Sequence, residues 1–103
     1  MGTELEHLNE IRELLAKGWT QVALARDQRG HDVSVMSENA VSFCVVGAMR
    51  RSSRGLARLW SIHHALRELT NGTISAWNDD PTRTHAQVLA LIDRAIEIAE
   101  AEQ

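Results

Sequence analysis

The chain has 103 residues, of which 44% are hydrophobic and 24% are charged. This ordinary globular composition excludes an intrinsically disordered chain, and the length allows one domain with one modest core. The formal net charge of -3 and the pI near 5.9 argue against a general nucleic-acid binder, because such proteins neutralise phosphates with a basic surface.

The first predicted element is an amphipathic helix from Thr3 to about Lys17. Thr3 and Glu6 have the spacing of a capping box, in which each side chain bonds the backbone N–H of the other residue. Gly18 can adopt the left-handed conformation that ends a helix. The apolar residues then recur at helical intervals, at Leu5, Leu8, Ile11 and Leu15.

A small β-hairpin is predicted between the first two helices. Residues 19–25 have little helical periodicity, and residues 27–30 are typical of a turn. We expect the chain to return through residues 32–35.

Helix 2 is predicted from Ser37 to about Arg51. Ser37 has the side chain of an N-cap, and Met36 and Val41 flank it at the spacing of a hydrophobic staple. The apolar stripe is broad, so we expect this helix to be the most buried one. Gly47 within a helix costs roughly 1 kcal/mol relative to Ala, which indicates the close approach of another backbone.

Two further helices complete the predicted fold. Helix 3 ends at the turn formers of residues 71–72, and its apolar stripe consists of Leu56, Leu59, Trp60, His63, Leu66 and Leu69. Residues 74–77 are predicted to be extended or irregular, and Thr84 with Gln87 forms a second capping box that begins the last helix. The sequence therefore predicts a single α+β, mostly helical domain over residues 1–103, with about four helices and a small β-hairpin between helix 1 and helix 2.

The polar junction from Trp77 to Thr84 is the segment richest in unusual residues. Turn and cap chemistry accounts for much of it, because Pro81 sets a turn, residues 78–79 can form Asx turns, Thr84 caps a helix and Trp77 anchors the segment. The alternative is a ligand site for an anion at a helix N-terminus, formed by Trp77, Asn78, Asp79 and Arg83.

Cys44 is the single cysteine, which excludes an internal disulfide and fits a reducing, cytoplasmic location. It is predicted near the middle of helix 2, where burial raises the pKa of a thiol and leaves it inert. The alternative is a small cysteine-dependent hydrolase, with His64 or His85 as base and Asn78 or Asp79 as the orienting group.

We expect neither a bound metal nor a cofactor. His63 and His64 diverge by about 100° around their helix, so they are poorly placed to bind one metal together. His64 and Glu68 share a face, but the spacings typical of zinc sites are missing from the sequence.

Four arginines cluster at the predicted corner between helix 2 and helix 3, namely Arg50, Arg51, Arg54 and Arg58. Two of them lie at a helix C-terminus, where positive charge matches the helix dipole. The alternative is an interaction patch for phosphate groups or an acidic partner.

Several motifs together resemble a known family. They are the Lys-Gly-Trp-Thr-Gln of residues 17–21, the Ala-Leu-Ala-Arg-Asp of residues 23–27, Cys44-x-x-Gly47-Ala48 and Trp77-Asn78-Asp79-x-Pro81-x-Arg83-Thr84. The family consists of small, uncharacterised single-domain proteins of bacteria and their phages, and the resemblance covers about residues 4–99. It implies a shared fold and a bacterial or phage origin, and it supplies no reaction. Asp80 departs from the pattern, in which a small residue is expected.

The function expected from the sequence is a non-enzymatic binding module. It would recognise a protein partner or a phosphorylated small molecule through the 77–84 junction and the nearby arginines. A homodimer is a further possibility, because Ile62, Leu91 and Ile98 fall outside the predicted apolar stripes. No membrane contact is expected, since the longest nearly apolar run, residues 40–49, is shorter than the roughly 20 residues that span a bilayer.

Overall fold

The computed structural model describes residues 3–52 and 56–102, with the side chains of all of these except Thr3 and residues 56–59. The described helices are α1 (Thr3–Lys17), α2 (Val45–Arg51), α3 (Leu56–Leu69), α4 (Ile74–Asp79) and α5 (His85–Ala101), and the strands β1 (Ala25–Arg26) and β2 (Ser42–Phe43) lie between α1 and α2. The predicted α+β, mostly helical class is confirmed. In this part of the chain, no helix is both long and apolar enough to cross a membrane.

The helices α1 and α5 pack against each other in antiparallel directions and form the centre of the fold. At one end, His85 Nε2 donates to the carbonyl oxygen of Leu15 at 2.6 Å, and further along Arg12 pairs with Asp93 at 2.7 Å. Helix α3 packs on both, and α2 packs on α1 and α4. The largest fully buried apolar side chains are Ile11, Leu15, Ile62, Leu66 and Ile92. Burying a side chain of this size contributes about 1.5–3 kcal/mol, so this helical cluster dominates the stability of the core.

The predicted helix ends are confirmed where the capping signals are local. Helix α5 begins with a capping box, since Thr84 Oγ1 accepts from the N–H of Gln87 at 3.1 Å and Gln87 Oε1 accepts from the N–H of Thr84 at 3.0 Å. After α3 the backbone turns through Asn71 and Gly72, whose φ angles are 61° and 112°. Helix α1 ends at Lys17 as predicted, but Gly18 does not adopt the expected left-handed conformation. A Cβ atom on Gly18 would clash with the carbonyl oxygen of Val41, so close packing accounts for this glycine. The capping side chain of Thr3 lies outside the described side chains.

The predicted start of helix 2 at Ser37 is wrong. Helix α2 begins at Val45, and Cys44 is its N-cap rather than a residue of the helix interior. The chain before it is extended because β2 pairs with β1 in antiparallel register. Ser37 Oγ instead accepts from the N–H of Asn39 in a turn, and the expected staple is absent because Met36 and Val41 are 67% and 47% exposed.

The predicted hairpin between α1 and α2 is confirmed, but its return strand lies later in the chain. Strand β1 pairs with residues 42–43, whereas residues 32–35 contribute one isolated bridge between Asp32 and Arg26. The predicted close approach at Gly47 is also present. A Cβ atom on Gly47 would lie 1.9 Å from the carbonyl oxygen of Leu24, so only glycine fits there.

The segment predicted to be irregular at residues 74–77 is helical. Helix α4 places Ile74 and Asn78 one turn apart on its inner face, where they are 3% and 1% exposed. Burial of this face therefore overrides the weak helical signal of a six-residue segment. The described residues form five helices, one more than predicted.

The apolar face of α3 differs from the predicted stripe. Trp60 is 75% exposed and His63 is exposed, whereas Ile62 and Leu66 are buried in the core. The side chains of Leu56 and Leu59 lie outside the described ones. Ile62 and Leu91, which were candidates for a dimer surface, are core residues, and of that set only Ile98 is partly exposed.

Candidate functional site

The 77–84 junction is organised around the side chain of Asn78, which is buried. Its Oδ1 accepts from Trp19 Nε1 at 2.9 Å and from the N–H of Val45 at 3.0 Å. Its Nδ2 donates to the carbonyl oxygen of Thr20 at 3.2 Å and to Asp79 Oδ1 at 2.9 Å. Both groups that reach Oδ1 can only donate, which defines the orientation of the amide. All four hydrogen bonds of this amide are therefore made within the chain.

Asn78 connects α4 to the N-terminus of α2 and to the segment that follows α1. The first N–H groups of a helix have no partner within the helix, and Val45 is the first residue of α2. Asn78 satisfies the N–H of Val45, and Cys44 Sγ accepts from the N–H of Gly47 at 3.2 Å. Two side chains from different parts of the chain thus cap the same helix.

Residues 20–22 are fastened to the end of α4 by three further hydrogen bonds. Gln21 Nε2 donates to the carbonyl oxygens of Asn78 at 3.0 Å and Asp80 at 2.8 Å. Asp79 Oδ1 accepts from the N–H of Val22 at 2.9 Å. These bonds hold Val22 in the left-handed region, at a φ of 71°, with its side chain 81% exposed. This conformation is strained for a β-branched residue, at a cost of roughly 1–2 kcal/mol.

Arg83 folds back over its own turn. Its guanidinium carbon lies 3.8 Å from the centre of the Trp77 ring, and its Nε donates to the carbonyl oxygen of Trp77 at 2.8 Å. Its Nη2 is 4.0 Å from Asp80 Oδ2. The N–H and hydroxyl of Thr82 both donate to Asp80 and lower the pKa of that carboxyl, and the positive charge of Arg83 lowers it further.

The structure brings the four residues of the predicted ligand site together and uses their polar groups inside the protein. Asn78 is fully bonded, Asp79 holds Val22, and Arg83 stacks on the half-buried Trp77. The sequence did not identify Gln21 and Val22 as parts of the same unit. For Gln21 the available signal was that residues 17–21 and residues 77–84 both belong to the motifs of the family resemblance, whereas Val22 lies outside those motifs.

Cys44 and the two candidate bases have separate partners. Burial raises the pKa of the Cys44 thiol, the N–H groups of Gly47 and Val46 oppose this, and the charge of Asp79 raises it further. His85 bonds to Leu15 and stacks on Trp19, with 6.1 Å between the ring centres. His64 Nε2 lies 3.1 Å from Glu68 Oε1 on α3.

The predicted arginine patch is described only in part. Arg51 Nη1 donates to the carbonyl oxygens of Val35 at 2.7 Å and Ser37 at 2.8 Å, so it fastens the preceding loop to α2. Arg50 is exposed. Arg54 lies outside the described residues, as does the side chain of Arg58.

Over residues 3–52 and 56–102, no group of three or more His, Cys, Asp or Glu side chains is arranged to hold a metal ion. No curated protein and no solved structure matches the chain. The sequence profile of DUF6197, a family of unknown function, matches residues 1–98, which is nearly the whole length. The chain belongs to this family, DUF6197.

Proposed function

We propose that the protein is a non-enzymatic binding module that recognises a protein partner through its junction face. The junction face is defined here as the exposed side chains of Val22 and Leu24 together with the 77–84 junction. The proposal rests on Val22, whose backbone is strained at a φ of 71° and whose side chain is 81% exposed. Strained conformations persist where the surroundings impose them, and they are concentrated at functional sites.

The hydrogen bonds around Val22 support a role in presenting this side chain. Asp79 accepts its N–H, and the neighbouring Gln21 is held by two carbonyl oxygens. Leu24, two residues later, is 40% exposed. An apolar side chain that points into solvent contributes little to folding, whereas a pre-positioned one can contribute to an interface.

A protein partner fits this face better than a phosphorylated small molecule. Phosphate binding needs free donors, and the donors of Asn78 are engaged in the junction, as is Arg83 Nε. The cysteine-dependent hydrolase gains no support, because the Cys44 thiol is buried and the candidate bases bond elsewhere.

The proposal includes a cytoplasmic location and a bacterial or phage origin. The single cysteine supports a reducing compartment. The motifs at residues 17–21 and 77–84 support the origin through the family resemblance.

The test is affinity capture with the wild-type protein, Val22→Gly and Met36→Ala, followed by quantitative mass spectrometry. Val22→Gly removes the exposed side chain and relieves the strained φ, so the variant should fold at least as well as the wild type. Met36→Ala is the matched control, because it removes another exposed apolar side chain. We expect a protein that the wild type and the control retain equally and that Val22→Gly loses by about tenfold or more.

Two outcomes would contradict the proposal. A set of captured proteins that does not change with Val22→Gly would show that the junction face is not the binding surface. A rise in the melting temperature with a panel of nucleotides, without any captured protein, would favour the phosphorylated ligand instead.

A further inference from the structure

A groove of about 320 Å³ opens at the end of the α1–α5 pair that is remote from the junction. The bond between His85 and Leu15 shows that the start of α5 lies beside the end of α1. Glu4 and Glu102, which line the groove, lie at the opposite ends of these two helices. The apolar side chains of its floor include Leu8, Ile62, Ala65, Leu69, Ala95 and Ile98.

The groove has an acidic rim. Glu4, Glu68 and Glu102 line it, one from each of three helices or their ends. The last turn of α5 contains no basic residue, although the C-terminus of a helix carries a partial negative charge that favours cations. The carboxylate of Glu102 is therefore not matched by its own helix, and positive charge from outside would stabilise it. Glu4 lies in the first turn of α1 and accepts a hydrogen bond from Ser61, and Glu68 lies 3.1 Å from His64, so a cationic partner would add to the contacts that these two already make.

An exposed tryptophan extends the apolar surface beside the groove. The Trp60 ring is 75% exposed and stacks on His64, with 5.9 Å between the ring centres and 5° between the planes. His64 also lines the groove. Tryptophan is enriched among the residues that carry binding energy in protein interfaces, so Trp60 is suited to anchor a partner at the edge of the groove.

We propose that this groove docks a basic amphipathic α-helix of a partner protein. The floor follows α3 from Ile62 to Leu69, a length of about 10 Å, which matches two turns of a docked helix. Apolar side chains spaced over those two turns enter the floor. Lysine or arginine side chains on either side of them pair with the glutamates of the rim.

Charge complementarity selects this occupant over a second copy of the chain. A two-fold dimer through the groove would place the rim glutamates of both copies, six carboxylates, in one interface, and an interface with an excess of like charge is unfavourable. The groove and the junction face are separate surfaces, so this proposal does not depend on the one above.

The test uses a labelled helical peptide of about 15 residues, with leucine on one face and lysine on the other, and measures binding by fluorescence anisotropy. The protein variants are the double charge reversal Glu68→Lys/Glu102→Lys and a control, Glu13→Lys/Glu38→Lys. All four positions are exposed and both pairs change the net charge equally, but Glu13 and Glu38 do not line the groove.

The reversal at the rim should weaken peptide binding by about tenfold or more, while the control pair should change it by less than about threefold. Bound peptide should also reduce the iodide quenching of the protein's tryptophan fluorescence, because it covers Trp60. This reduction should be absent in Trp60→Phe, in which only Trp19 and Trp77 fluoresce. A second peptide with glutamate in place of lysine should not bind the wild type.

Four results would overturn the proposal. The first is an absence of peptide binding up to about 100 μM peptide, and the second is an equal loss of peptide affinity in both charge-reversed variants. The third is iodide quenching that does not change when peptide is bound. The fourth is a wild-type dimer in sedimentation that the rim reversal dissociates. The last result would show that a second copy occupies the groove. Val22→Gly should leave peptide binding unchanged, which separates this test from that of the junction face.

Discussion

The substitution Asn78→Asp tests whether the buried amide is the structural centre of the junction. It preserves the size of the side chain and the acceptor for Trp19 and Val45. It replaces Nδ2 with a carboxylate oxygen, which faces the carbonyl oxygen of Thr20 and the carboxylate of Asp79 at the present distances of 3.2 Å and 2.9 Å. Two attractive contacts therefore become repulsive.

We expect the free energy of unfolding to fall by about 3–5 kcal/mol near pH 7. The two lost hydrogen bonds account for about 2 kcal/mol, and the rest is the cost of a buried carboxylate beside another carboxylate. In a domain of this size, 1 kcal/mol shifts the melting temperature by roughly 4–8 °C, so the midpoint should fall by at least about 12 °C.

The loss should be smaller in acid. Burial at position 78 and the charge of Asp79 both raise the pKa of the introduced carboxyl above its unfolded value of about 3.9. A group whose pKa is raised on folding binds its proton more tightly in the folded protein, so the stability of the variant relative to the wild type falls as the pH rises from about 4 through the folded-state pKa. Below about pH 4 the protonated carboxyl can donate to Thr20, and the difference should be smallest.

Urea denaturation followed by tryptophan fluorescence, at several pH values between about 4 and 8, measures both effects. Asn78→Ala is the comparison, because it removes the four hydrogen bonds without adding a charge and its loss should vary little with pH. The reasoning would be refuted by an Asn78→Asp variant within about 1 kcal/mol of the wild type near pH 7, or by equal losses at both ends of the pH range.

Three other predictions follow from individual contacts. Gly47→Ala should lower stability by about 2–4 kcal/mol in urea denaturation, because its Cβ would lie 1.9 Å from the carbonyl oxygen of Leu24, and a loss below about 1 kcal/mol would contradict that approach. Thr84→Ala removes the acceptor for the N–H of Gln87 and should cost about 1 kcal/mol, whereas an unchanged midpoint would show that the capping box contributes nothing. Cys44 should react with a thiol reagent more slowly than free cysteine near neutral pH, because burial raises its pKa, and a faster reaction would restore the hydrolase alternative.

The polar residues of the junction are dense because several backbone groups need partners at the same place. The N–H of Val45 lies at the start of a helix, and the carbonyl oxygen of Thr20 and the N–H of Val22 belong to a loop without regular pairing. Side chains of Asn78 and Asp79 satisfy all three. The side chains of Asn78 and Asp79 therefore have distant partners, whereas Arg83 bonds within its own turn. These contacts are used by the fold itself and are not available to an anion.

Local signals in the sequence were sufficient for the first and last helices and for the mostly helical class. Capping boxes, helix-ending turns and apolar periodicity act over three to eight residues, so they identify α1, the end of α3 and the start of α5 without knowledge of the rest of the fold. Gly47 was also informative, because a glycine inside a predicted helix indicates a close neighbour even when that neighbour is unknown.

Contacts between distant residues decided the remainder. Helix α2 begins at Val45 because residues 42–43 pair with β1, and α4 forms because its inner face is buried. The bond from Trp19 to Asn78 spans 59 positions along the chain, and no local rule predicts such a pairing. The tertiary structure brought together residues 20–22, the start of α2 and the end of α4, whose backbone groups had no local partners. This arrangement determined that Asn78 and Asp79 serve the structure and that the side chain of Val22 is left exposed.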